Sequence, residues 1–192
     1  SMSGAVVTAD SALRLSAVWR AVTLISGHIS MLDLDLRKAG SKRRISSHPI
    51  YRLFRRPNPW QNGFEWRQML TGHLLLRGNA YCEITENNRG EILTLTPRHP
   101  DKVTVEMLPT GSYRYRVTDH DGSSRLLSRG QVWHLRGLSN NGITGLSVLE
   151  SARESIGFGI AAQTYGARYF ANDAKPSGGW IEFPGRFADK AA

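Results

Sequence analysis

The 192 residues are 40% hydrophobic and carry a formal net charge of +9, which suits one sizeable domain that buries a core without covalent staples. A single cysteine, Cys82, excludes an internal disulfide and fits a cytosolic compartment. No apolar run approaches the ~18 residues of a membrane-spanning helix, and no charged-then-apolar leader is present.

Ser11 is placed to cap a first helix. Along it Val18, Val22, Ile25, Ile29 and Leu32 recur at spacings of three and four, a single apolar stripe. Leu32, Leu34 and Leu36 then alternate with Asp33, Asp35 and Arg37, the period of a strand with one wet face. After the turn "KAGSKRR", the stretch "SHPIYRLFRR" predicts a short helix, with Ser47 as cap and Pro49 in the first turn. "RPNPW" must end it, because two prolines remove two donors and push the preceding residues towards extended geometry. Positive charge concentrates here: Arg37, Lys38, Lys42, Arg43, Arg44, Arg52, Arg55 and Arg56 lie together with no acid among them. Such a block meets phosphates or acidic partner surfaces, or it is a solvated loop and helix face.

A second long helix is expected from Gly63 to Arg77, with Phe64, Met69, Leu70, His73, Leu74 and Leu76 on its apolar side. Gly78 follows where a helix stops, since glycine enters left-handed geometry without a Cβ clash. From Ala80 the period becomes two. Short strands are expected at Tyr81 to Thr85, Glu91 to Thr96, Lys102 to Met107, Tyr113 to Asp119, Ser124 to Leu127 and Gln131 to Arg136. "NNRG", "PTGS" and "DHDG" supply turns between them. Beyond "GLSNNGITG", the pair Ser147 and Glu150 reads as a capping box opening a helix that runs to about Ala171. "SGGWIEF" begins another strand. The fold class is therefore α+β: a β-rich middle of short antiparallel strands flanked by helices, with a long helix near the C-terminal end.

Searched for chemistry, the chain offers little. It has no phosphate-binding Walker loop, no H-E-x-x-H and no C-x-x-C, and its six histidines never fall at ligand spacing with one another. No metal and no cofactor is expected. "GFGIAA" matches a dinucleotide pattern but lies inside a helix, whereas the fingerprint must follow a strand; small residues there suit close helix packing instead. No nucleophile elbow occurs. Asp119, Asp121 and Glu106 invite comparison with an acidic nuclease site, yet "DHDG" reads better as a hairpin tip. The glycine and asparagine of "RGNAY" have a backbone role in turning helix into strand. No constellation of an enzyme emerges.

The order of segments carries a resemblance. "AVWRAVTLISGHISMLDLDL", "HPIYRLFRRPNPWQNGFEWRQMLTGHLLLRGNAYCEI", "LTLTPRHPDKVTVEM", "VWHLRGLSNNGITGLSVLESARESIGFGIAAQTYGARYFAN" and "KPSGGW" together resemble the portal proteins of tailed bacteriophages, specifically the Hong Kong-97-like family. R-P-N-P, R-G-N-A-Y and G-x-T-G-x-S, in this order, are the most specific elements. The resemblance implies a wing-and-core portal fold and a structural subunit without chemistry of its own. It implies a ring, commonly dodecameric, at one capsid vertex of the virion, assembled in the bacterial cytoplasm. Double-stranded DNA would pass through it, held weakly and without sequence preference. The terminase motor, capsid and scaffold proteins and a head–tail adaptor are the implied partners, and no membrane is. Residues 3–192 would form a single portal core fragment, with the remainder of stem, clip and crown absent.

Within that reading, Lys42, Arg43, Arg44, Arg55 and Arg56 are the residues expected to meet DNA or an acidic partner. The late helix has two apolar stripes: Leu149, Ala152, Ile156, Ile160 and Ala167, and separately Phe158, Ala162, Tyr165 and Tyr169. The second is the expected subunit interface, unless the helix is buried wholly within one chain. Trp19, Trp66 and Trp133 are candidates for core or interface, with core favoured for each. Two other functions compete: a nucleic-acid-binding module unrelated to capsids, using the basic 37–56 segment, and a phosphate enzyme resting on scattered carboxylates.

Overall fold

A computed structural model describes residues 1–45 and 47–174. Strand β1 (Asn79–Glu86) lies at the centre of the molecule, paired on one edge with β2 (Ile92–Arg98) and on the other with β6 (Val132–Arg136), both antiparallel. A second antiparallel sheet runs β3 (Val103–Met107), β4 (Tyr113–Thr118), β5 (Ser124–Leu127). All six strands expected between Tyr81 and Arg136 are present.

Alternation along β1 builds two cores from one strand. Ala80 and Cys82 point to the helical side, where they join Leu53, Trp66, Leu70 and Leu95. Tyr81 points to the other, where it joins Val103, Tyr115, Val117, Leu127 and Val132 between the sheets. A strand covered on both faces holds the layers together, since side chains two apart share a face. Trp66 is 1% exposed and its ring lies 5.6 Å from that of Trp133, as expected of both. Trp19 is 58% exposed, which corrects the favoured core placement and leaves only the interface alternative.

The helices are α1 (Ala9–Leu13), α2 (Ser16–Met31), α3 (Ile50–Arg55), α4 (Gly63–Arg77), α5 (Val148–Ser151) and α6 (Arg153–Ala171). Helix α4 has the expected bounds. Asn62 accepts from the Glu65 amide at 2.9 Å and Glu65 returns the bond, a reciprocal cap. The "RPNP" stretch does more than break α3. The Pro57 carbonyl accepts from the Leu95 amide at 2.7 Å, and the buried Asn58 side chain donates to the Leu95 carbonyl, so the turn is stitched to β2.

Several expectations need correction. Ser11 is not a cap but the third helical residue of α1; Thr8 is the cap, and the two exchange hydrogen bonds. Ser47 does not cap α3, whose N-cap is Pro49. The 32–37 stretch forms no ladder: only Arg37 bridges Arg44, and Leu32 and Leu34 are exposed. Its alternation lacked a neighbouring strand, and the Tyr51 hydroxyl takes the Leu36 amide instead at 2.7 Å. The expected single helix after Ser147 is interrupted at Ala152, which leaves helical geometry between α5 and α6. The strand expected at "SGGWIEF" lies outside the described residues.

The largest correction concerns α2. Ser26 and Ser30 are its buried residues, and Gly27 sits beside Gln68 of α4. Arg67 of α4 donates to the Ser30 carbonyl at 2.6 Å. The helices approach through small side chains, which bring backbones close. The aliphatic stripe is rotated off the contact, leaving Ile25, Ile29 and Leu32 each more than 40% exposed.

Candidate functional site

Two distant segments named by the sequence meet at the end of α4. Gly78 adopts φ +70° and ends the helix, and a side chain there would collide with the Leu146 carbonyl. Asn79 then reaches across the chain. Its Oδ1 accepts from the Gly145 amide at 2.7 Å and its Nδ2 donates to the Gly145 carbonyl at 2.8 Å. The same Oδ1 accepts from His134 Nε2 at 2.9 Å, which fixes the proton on that nitrogen; His134 Nδ1 therefore accepts from the Tyr115 hydroxyl at 3.2 Å. Burial holds the His134 pKa down at about 4, with the charge of Arg136 adding to the effect. The ring is neutral at pH 7. "RGNAY" and "GITG" thus form one structural joint that positions α5 and α6 against the body.

No reactive constellation accompanies it. Burial pushes the Cys82 thiol up to about 12, so it is no nucleophile at neutral pH. Asp119 is bound by Arg98 at 2.9 Å and Arg125 at 2.7 Å, and Glu106 by Arg114 and Arg116. These arginines hold both carboxyls below their ordinary range. Glu83, Arg98, Asp119 and Arg125 instead tie the two sheets together. "DHDG" is the hairpin tip, with Gly122 at φ +84°. Among the described residues no group of three or more His, Cys, Asp and Glu is placed to hold a metal, and no helix is long and apolar enough to cross a membrane.

The basic residues divide between two places. Residues 36–45 form a small hairpin: the Ile45 amide donates to the Leu36 carbonyl and that of Lys38 to the Arg43 carbonyl. Lys42 and Arg43 sit at its exposed end and have no ion-pair partner among the described residues, whereas Arg44 pairs with Asp35. Arg44 then lines a groove of about 950 Å³ together with Arg55 and Arg56. Lys42 and Arg43 do not line it. Arg52, part of the basic run, and Arg67 join the groove; sequence reading did not select Arg67, which lies outside the run and which only the fold brings close. Asp33 and Asp35 are also on the wall, with Tyr51, Phe54 and Phe64 as apolar lining, so the groove is of mixed sign.

Helix α6 touches the body with only part of its surface. Its Gly159 approaches the Leu15 side chain, and Glu154 accepts from the Met2 amide at 2.8 Å. Ile156 and Ile160 of the first stripe are half-buried. The second stripe faces away: Phe158 is 71% and Tyr165 74% exposed, with Ala162 and Tyr169 also on the surface. Tyr165 and Tyr169 stack on one another with ring centres 6.5 Å apart.

These features define a class: an α+β fold that presents exposed apolar helix surface, with no reactive constellation assembled among the described residues. The chain belongs to the phage portal protein family, which residues 16–192 match. It is 32% identical to the portal protein of Enterobacteria phage HK97 across 85% of this chain and 39% of that protein. It is 34% identical to the probable portal protein of Streptomyces phage phiC31 across 98% of this chain and 43% of that protein. The chain thus spans about two fifths of the length of these relatives. Among solved structures it resembles the neck of an empty gene transfer agent particle computed with C6 symmetry. The TM-score is 0.78 and the identity 25%, covering 95% of this chain and 52% of the other.

Proposed function

We propose that the chain acts as a structural subunit of a portal ring in a phage head, through which double-stranded DNA is packaged and ejected. The observation that carries this reading, beside membership of the family, is the outward aromatic stripe of α6, Phe158 to Tyr169. A helix whose apolar side chains stand in water is normally covered by a partner. The gene transfer agent neck, computed with cyclic symmetry, supports a second copy as that partner. In this reading the ring docks the terminase motor and meets capsid, scaffold and head–tail adaptor proteins at the virion vertex. Its part is positional and not catalytic.

Lys42 and Arg43 would contact passing DNA. Exposed cations on a short hairpin bind phosphates weakly and without sequence preference, which suits a conduit whose cargo must slide. Electron microscopy and mass photometry of the complete gene product test the reading: closed rings are the expected result. A species that stays monomeric at high concentration overturns it.

A further inference from the structure

We propose that the seam between neighbouring copies joins the aromatic stripe of α6 on one subunit to the outward aliphatic face of α2 on the next. The inference rests on the ring reading above and says which surfaces close it. Cyclic closure is heterologous, so each copy must offer two different, complementary faces. Among the described residues, two helices offer large exposed apolar side chains at helical spacing. Helix α2 presents Ile25 and Ile29, continued by Leu32 just past its end, and α6 presents Phe158 and Tyr165.

A second observation agrees. Residues 21–32 contain no Asp, Glu, Lys or Arg, and neither do residues 155–167, in a chain that is 21% charged. A helix face meant for water carries charges three and four residues apart. Loss of charge with enrichment in aromatics is instead the composition of an interface core. The shapes also fit. Among the aromatic side chains of α6 stands Ala162, with Gly166 beside them, and nothing lies within 4 Å of where a Gly166 Cβ would be. The small residues form hollows, and the Ile25–Ile29 pair forms a ridge one turn long, as ridge-into-groove packing requires. Helix α2 meets its own body chiefly through Ser26 and Ser30, and α6 through its opposite side, so both faces keep apolar surface open to a neighbour.

Directed cross-linking tests the pairing. Cys82, at 1% exposed, does not compete for oxidant. Ile25→Cys and Tyr165→Cys proteins are prepared separately as the full chain, mixed, and mildly oxidised. A disulfide-linked dimer in the mixture, absent from either protein alone, is expected, and the double variant should give a ladder. Rings without that cross-link overturn the pairing while leaving the ring reading intact; absence of any assembly overturns both. As a second readout, Ile29→Asp and Tyr165→Asp should each weaken self-association by about 10-fold or more with an unchanged thermal midpoint. Unchanged association in both variants overturns the proposal.

Discussion

Gly78 and Asn79 divide one task between them. Gly78 supplies a backbone conformation that a residue with a Cβ resists and the space that the Leu146 carbonyl occupies. Gly78→Val therefore combines left-handed strain with a backbone clash, and a loss of about 2 kcal/mol or more is expected, read as a lower denaturant midpoint. Asn79 supplies the three partners described above, and Asn79→Ala leaves the His134 Nε2 proton and the Gly145 groups unmatched in a confined space. A cost of about 1–3 kcal/mol follows, measured in the same way. His134 adds a pH dependence. Its folded pKa, about 4, lies below the ordinary 6.5 because burial disfavours the charged ring; burial first, then the charges of His99 and Arg77, places His73 at about 4 as well. Between those values the unfolded chain binds protons that the folded chain refuses. Stability is thus full above the ordinary histidine value and declines as pH falls from there towards 4. Thermal midpoints across that range should drop, and less steeply in His134→Gln.

At the scale of elements, α2 reverses the usual rule that the apolar stripe is the buried one. Ser30, fully buried against α4, is the position that resists change: Ser30→Leu overpacks a tight contact and is expected to cost about 1–3 kcal/mol. Ile29→Ser, one residue away but 45% exposed, should stay within about 0.5 kcal/mol. Thermal melts of the two variants check the contrast. This reversal also marks what the sequence could and could not reveal. Six strands, the bounds of α4 and the stop at Gly78 were legible because alternation, capping and glycine geometry act over a few neighbours. The stripe of α2 was legible as a stripe, but not the direction it faces, because a serine-lined approach leaves no local signal. The false strand at 32–37 has the same cause: alternation shows one face, not whether a partner strand exists. The joint of Asn79 with Gly145 was beyond reach, since it spans 66 residues of chain and neither residue type is unusual in a turn.

For the whole molecule, the basic run shows how folding redistributes a charge cluster that looks continuous in one dimension. Arg44 is committed to Asp35, Arg55 and Arg56 turn into the groove, and the hairpin end keeps Lys42 and Arg43. Binding of duplex DNA to the chain should therefore be weak and salt-sensitive. The Lys42→Gln/Arg43→Gln double variant is expected to flatten the plot of log affinity against log salt by about 2 units of slope. Equal slopes in fluorescence anisotropy titrations would remove these two residues from the DNA path. The groove residues were nameable from the sequence only where they fell in the run; Arg67 entered through the packing of α4. The position of β1, hydrogen-bonded along both edges and covered on both faces, has a consequence in time. Amide protons of Ala80 to Glu83 can meet deuterium only when the entire protein opens, so their exchange rates report its global free energy. Those of the 36–45 hairpin, tied by a single bridge, should swap within the earliest labelling interval.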